Sequence, residues 1–168
     1  MSANPPVPRN VVILGASGSI GEKAMAVARR YPDRIRVVGL AGRGSAEVLA
    51  RAAKLLDVKR LALADEGQVA RLRAMVPGDV RVEGGPEAVA AMAGRDEVDL
   101  VVNGIVGRAG LEASLTAAET GKTLALANKE SLVLAGELLM ETAQRNGALV
   151  LPVDSEHSGL FQALAGQS

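Results

Sequence analysis

From Asn10 almost to the last residue, short runs of β-branched and aliphatic residues alternate with alanine-rich amphipathic segments. That alternation constrains the fold more than any other feature. An apolar run too short for a helix and bounded by turn residues reads as a strand buried on both faces. An intervening helix is the connection that parallel strands require. The pattern predicts strands over Asn10–Leu14, Arg34–Leu40, Arg60–Leu63, Val80–Glu83, Asp99–Val102, Thr123–Leu126 and Ala148–Leu151. The expected class is α/β, a doubly wound and mostly parallel sheet in three α/β/α layers. A chain of 168 residues needs no more than one such unit, and residues 1–8, polar and proline-rich, read as a disordered tail before it.

Helix starts are marked by Ser19, by Ser45, and by Asp65 with Gln68 three residues later as a capping box. Pro86 suits a first helical turn. Two longer helices are expected over Ala109–Thr120, closed by Gly121, and over Lys129–Arg145, closed near Asn146-Gly147.

Lysine plus arginine and aspartate plus glutamate number 19 each, so no net charge draws the chain to nucleic acid or anionic lipid. Tyr31 and Phe161 are the only aromatics, which leaves no stacking platform for unpaired bases. The absence of cysteine removes disulfides, thiolate metal sites and a thiol nucleophile, and fits a reducing, cytoplasmic setting. The N-terminus lacks the pattern of a secretory signal, and no uncharged apolar stretch reaches the roughly 18 residues that span a bilayer. A soluble protein is expected.

The first strand runs into Gly15-Ala16-Ser17-Gly18-Ser19-Ile20-Gly21, a G-x-x-G-x-x-G variant leading into a helix. In a Rossmann-like fold, glycines at this turn allow a diphosphate to approach the backbone, and the helix start offers free N–H groups and partial positive charge. The alternative is a purely structural turn. Which dinucleotide binds depends on the end of the second strand. Ala41-Gly42-Arg43-Gly44-Ser45 stands there, without the carboxylate that would hold the ribose 2′-hydroxyl of NAD. Arg43 can pair with a 2′-phosphate, which favours NADP, unless it is simply an exposed turn residue.

Two further polar turns follow. In Ala127-Asn128-Lys129-Glu130-Ser131, Asn128 could reach cofactor or substrate, Lys129 could hold developing negative charge, and Glu130 or Ser131 could cap the helix; an ordinary helix start is the plainer option. In Leu151-Pro152-Val153-Asp154-Ser155-Glu156-His157 two carboxylates stand at i and i+2, on one side if the run is a strand. Paired carboxylates suit a hard cation such as Mg²⁺ or Mn²⁺; a solvated acidic loop is the alternative. All three turns fall at C-terminal ends of expected parallel strands, and hence on one rim.

Gly15–Gly21, Asn103-Gly104-Ile105-Val106-Gly107, Leu126–Val133 and Pro152–Ser158 together resemble the N-terminal half of the 1-deoxy-D-xylulose 5-phosphate reductoisomerase family, over nearly the whole chain after Pro8. The resemblance implies an NADPH- and divalent-metal-dependent enzyme of non-mevalonate isoprenoid synthesis. Its substrate would be a small phosphosugar, converted to 2-C-methyl-D-erythritol 4-phosphate, and the enzyme a homodimer. It implies contacts to NADPH from Ser17, Gly18, Ser19, Ile20, Gly42, Arg43, Gly44, Asn128 and Glu130. Lys129 and Ser155 would meet substrate. Asp154 and Glu156 would ligate Mg²⁺ or Mn²⁺, with Co²⁺ as a further option, and Lys129, Ser155 and Glu156 would form the catalytic set. Residues 9–151 then form the NADP-binding domain, and 152–168 begin a catalytic domain that stops short.

The family carries a further segment with a third metal carboxylate and the phosphate-binding residues, so the 168 residues alone are expected to bind NADP(H) but turn over slowly or not at all. The family pattern has threonine at the place of Ser17 and lysine-asparagine at the place of Arg43-Gly44. Serine keeps the hydroxyl and arginine keeps the charge. His157, the only histidine, is not a ligand in the pattern. A rival class with a similar opening loop, the aspartate-semialdehyde dehydrogenase type, needs a nucleophilic cysteine that this chain lacks. A non-catalytic NADP-binding module is the other reading.

Overall fold

The computed structural model describes residues 7–127 and 129–153. Seven strands, β1 (Arg9–Leu14), β2 (Ile35–Gly42), β3 (Arg60–Leu63), β4 (Arg81–Gly84), β5 (Leu100–Asn103), β6 (Thr123–Leu126) and β7 (Val150–Pro152), lie in the order β4-β3-β2-β1-β5-β6-β7. Every pairing is parallel. The connections are α1 (Ser19–Arg30), α2 (Ala46–Leu56), α3 (Val69–Met75), α4 (Pro86–Ala91), α5 (Leu111–Glu119) and α6 (Lys129–Asn146), with short 3₁₀ turns before α3, after α4 and before α5.

Strand alternation sorts the core into two layers. Val12 and Leu14 face the layer packed by α4, α5 and α6, with Val89, Ala117 and Leu139. Val11 and Ile13 face the other layer, with Ala28 of α1, Leu49 of α2 and Leu72 of α3. Covering both faces is what lets β1 read as an unbroken apolar run. The helices meet the sheet largely through alanine, and bulk comes from fully buried aliphatics such as Leu14, Leu40 and Leu124. Each of these contributes roughly 2–3 kcal/mol of transfer free energy.

β2 runs two residues beyond the expected Leu40, to Gly42. The β1–β2 register shifts by one residue between Val11 and Val12, leaving Val38 as an extra residue. The slip aligns Ala41 with Leu14, and the Ala41 carbonyl then accepts from both Gly15 N and Ala16 N at 2.9 Å. A bulge midway along the strand thus fixes the turn at its end. Gly121 and Gly147 follow α5 and α6 with φ of 70° and 69°, the left-handed closure expected of glycine. α6 is not straight, because Ala135 leaves helical geometry at φ −150°, ψ 32° and divides it.

The edge carrying the strand N-termini is held by an ionic clasp. Arg95 Nε lies 2.9 Å and Arg60 Nε 3.2 Å from the Glu97 carboxylate. Asn10 N donates to Asp99 Oδ2 at 2.7 Å, and Asn10 Nδ2 donates to the Glu97 carbonyl at 2.8 Å. The hydrogen bond from Arg95 holds Glu97 below its ordinary value of 4.5. A depressed carboxylate stabilises the fold above its unfolded pKa, and the effect is lost as pH falls through the folded value. Glu97→Gln should therefore lower Tm by about 1–3 °C at pH 7. Thermal melts should show the difference closing below pH 4.5; a gap that persists in acid would contradict the ionic origin.

Candidate functional site

Because all the strands are parallel, their C-terminal ends share one rim. From β1 the chain builds outward through β2, β3 and β4, then returns to build β5, β6 and β7 on the other side. Loops leaving β1 and β5 diverge at this reversal, and the crevice between them is where doubly wound sheets take ligands.

Two glycines of the first turn are dictated by packing. Gly15 has φ 80°, and a Cβ there would stand 2.8 Å from the Gly104 carbonyl carbon. A Cβ on Gly21 would stand 2.6 Å from Ala16 Cα, so α1 lies directly against the turn. Gly18 differs. It is exposed, with φ −92° and ψ 167°, and a Cβ there would meet only the Gly15 carbonyl oxygen at 3.4 Å. The bare chain has room for a side chain at Gly18, so its absence leaves the helix start uncovered for something outside the fold.

Gly18 is the N-cap of α1, and Ser19, expected as the cap, is instead the first helical residue; no side chain caps this helix. A cap at Gly18 places the hydroxyls of Ser17 and Ser19 on the exposed surface. It also leaves the first-turn N–H groups without side-chain acceptors, at the positive end of a 12-residue helix. Ile20 is half-buried against Gly104, where a Cβ would come within 3.2 Å of Ile20 Cβ.

Gly42 and Arg43 stand beside this turn, and a Cβ on Gly42 would lie 3.9 Å from Ser17 Oγ. Arg43 is exposed; its carbonyl accepts from Asp65 N at 2.8 Å, and its guanidinium has no hydrogen bond or ion pair among the described residues. Ser45 occupies the N-cap of α2 without a side-chain bond. Asp65 accepts from Gly67 N at 3.0 Å, two residues on, and so starts a 3₁₀ turn in place of the expected reciprocal capping box. Its other carboxylate oxygen lies 3.4 Å from the place of a Gly44 Cβ. This approach of Asp65 to the Arg43-Gly44 turn had no sequence signal beyond the capping pattern.

On the other side of the crevice, Asn103 ends β5. Its carbonyl accepts from Ala127 N at 3.1 Å, and α6 begins at Lys129. Glu130 and Ser131, considered as caps, fall inside that helix. The Leu126 carbonyl accepts from Val153 N at 3.1 Å, which carries the β6–β7 ladder one bond past the end of β7 at Pro152. Asn128, Asp154, Ser155, Glu156 and His157 lie outside the described residues, as do the side chains of Lys129 and Glu130. Among the described residues no group of three or more acidic or histidine side chains could hold a metal, and no helix is long and apolar enough to cross a membrane.

Asn103 itself was visible in the sequence only as part of a motif. Its side chain is 0% exposed and fully hydrogen-bonded. A cleft of about 850 Å³ opens at the opposite edge, lined by Arg29, Arg36, Lys54, Lys59, Arg60 and Glu97 among others. Arg29 and Lys54 sit in the last turns of α1 and α2, where cations complement the helix dipole. The cleft holds none of the candidate residues.

A parallel sheet that reverses between β1 and β5, covered on both faces and carrying a glycine turn into a helix at the reversal, defines a doubly wound domain of Rossmann type. A family model described as 1-deoxy-D-xylulose 5-phosphate reductoisomerase matches residues 11–136, and the chain belongs to that family. A reductoisomerase of this name from Oleidesulfovibrio alaskensis is 44% identical over 95% of the chain and 40% of its own length. The Zymomonas mobilis enzyme, solved in complex with NADPH, superposes with a TM-score of 0.88 at 41% identity, over 92% of this chain and 41% of that one. A further reductoisomerase structure, in complex with NADPH, fosmidomycin and magnesium, gives 0.85 at 38% identity, over 92% and 38%. The chain therefore spans about 40% of the length of the relatives it matches.

Proposed function

We propose that this chain supplies the NADPH-binding domain, residues 9–151, and the opening of the catalytic domain, 152–168, of an enzyme converting 1-deoxy-D-xylulose 5-phosphate to 2-C-methyl-D-erythritol 4-phosphate. The observation that carries the reading is the exposed start of α1 at Gly18, at the β1–β5 reversal and beside Arg43, whose guanidinium has no partner among the described residues. The relatives solved with NADPH and with magnesium support the choice of cofactors.

In this reading the N–H groups of Ser19, Ile20 and Gly21, with the hydroxyls of Ser17 and Ser19, hold the diphosphate. Gly18 lets it come close. Gly42, Arg43 and Gly44 take the 2′-phosphate end, where the guanidinium, unpaired among the described residues, gives charge-assisted hydrogen bonds and Asp65 is the acidic neighbour of the turn at Gly44. Asn128 and Glu130 hold the other half of the dinucleotide. Bound NADPH supplies the hydride. Lys129 places fixed positive charge beside the substrate oxygen that becomes negative as the carbon skeleton shifts, and Ser155 hydrogen-bonds the substrate. Asp154 and Glu156 are the residues that would hold Mg²⁺ or Mn²⁺, whose chemistry is Lewis-acid polarisation of the substrate oxygens. A homodimer in the cytoplasm is part of the same proposal, supported by family membership and the cysteine-free composition.

The test is calorimetric titration of the chain with NADPH and NADH, alone and as Arg43→Ala. NADPH should bind the wild-type chain at least about tenfold more tightly than NADH, and the substitution should remove most of that preference, one charge-assisted contact being worth about 1.5–3 kcal/mol. Equal affinity of the wild-type chain for the two cofactors would contradict the role given to Arg43.

A further inference from the structure

We infer that Asn103 is a positioning residue of the cofactor crevice, acting through the β5–α5 loop; the inference rests on the dinucleotide reading above and deepens it. The amide has a single workable orientation. Nδ2 donates to the Gly110 carbonyl and to Ser114 Oγ, each at 2.8 Å, while Oδ1 accepts from Ile105 N at 3.2 Å. Ser114 Oγ closes the network by donating to the Gly110 carbonyl at 3.0 Å. Asn103 and Ser114 are both 0% exposed, so the three bonds joining them and the Gly110 carbonyl lie in a low-dielectric interior where an orphaned partner is costly.

The network ties both ends of the loop 104–110 to one side chain. Its first residues are held against the glycine turn, since Gly104 N donates to the Leu14 carbonyl at 2.9 Å and Gly104 leaves no space for a Cβ on Gly15. The main chain of Asn103 meanwhile accepts from Ala127 N, directly ahead of the turn into α6. The buried amide thus shapes the loop carrying Ile105 and the 81% exposed Val106, while the backbone of Asn103 and Gly104 bonds that loop to the glycine turn and to Ala127 ahead of α6. An apolar residue would have filled this core position at lower desolvation cost, and the amide is explained by the loop it shapes.

The 2′-phosphate end of a dinucleotide lies at β2, on the far side of the glycine turn from β5. Loss of the Asn103 amide should thus affect the nicotinamide half and spare the adenosine half. The experiment measures binding of NADPH and of adenosine 2′,5′-bisphosphate to the full chain as wild type and as Asn103→Ala, after a thermal melt confirms folding. Asn103→Ala is expected to weaken NADPH about tenfold, the equivalent of one buried hydrogen bond, and to change the bisphosphate by less than about twofold. A folded variant that loses both ligands in equal proportion, or neither, would overturn the assignment. If Asn103→Ala does not fold, Ser114→Ala keeps the Asn103–Gly110 and Asn103–Ile105 bonds. It should then show a smaller selective loss, about threefold for NADPH alone, and the absence of any selective loss would overturn it. A wild-type chain that takes up the bisphosphate but not NADPH, or neither, would remove the dinucleotide reading itself and the assignment with it.

Discussion

Gly18→Asp is expected to give a chain that melts slightly above wild type and no longer takes up NADPH. Gly18 already has the extended backbone of an N-cap, at φ −92° and ψ 167°, and space for a Cβ. Aspartate is among the best N-caps and adds negative charge at the positive end of α1, for a gain of about 0.5 kcal/mol. The same carboxylate occupies the N–H groups proposed for the diphosphate and repels it. Like-charge apposition costs several kcal/mol, so affinity should fall at least about 100-fold. Differential scanning fluorimetry and NADPH titration read the two effects separately. Stability and affinity moving in opposite directions is the signature of an uncapped helix start kept open for an anion. Unchanged affinity would mean that the diphosphate lies elsewhere.

Gly21→Ala tests the packing of that helix, and here two general effects predict opposite signs. Gly21 lies in the first turn of α1 and its backbone is helical, so propensity alone would make alanine stabilising by up to about 1 kcal/mol. A Cβ at this position would stand 2.6 Å from Ala16 Cα and 2.9 Å from Ala16 C, both backbone atoms that cannot swing aside. The helix would have to lift off the turn. The packing effect should win, with a net loss of about 3 kcal/mol, or a Tm lower by roughly 6–12 °C. NADPH binding should fall with it, because the first-turn N–H groups move. A variant as stable as wild type would show that α1 is not seated on the glycine turn as described.

The strands and their parallel pairing were legible in the sequence because burial on both faces leaves an unmistakable apolar run, as in Val11–Leu14. Strand ends were off by a residue or two where tertiary contacts decide them. β2 extends to Gly42 because the bulge at Val38 realigns it, and nothing local in the run Arg34–Leu40 marks that slip. Helix caps are less plainly marked in the sequence. Ser19 looks like an N-cap, yet the chain caps at Gly18, since the turn needs Ser19 already in helical geometry for Gly21 to reach Ala16. Of the expected cofactor residues, Ser17, Gly18, Ser19, Ile20, Gly42, Arg43 and Gly44 stand together where β1 and β2 end, as a shared rim demands. The division of labour among the three glycines was not legible, because Gly15 answers to Gly104, distant in sequence, and Gly21 to Ala16, which only the folded turn brings against α1. The Asn103–Ser114 network was hidden for the same reason, its partners being fixed only when α5 packs back on β5.

An amide-resolved NMR titration of the chain with NADPH bears most directly on the rim. The expected shifts are at Ser17–Gly21, at Gly42–Gly44 and at Gly104–Val106, the three segments that flank the β1–β5 reversal. Shifts centred instead on Arg36, Lys54 and Lys59 at the opposite edge, or none at saturating NADPH, would contradict the placement of the cofactor.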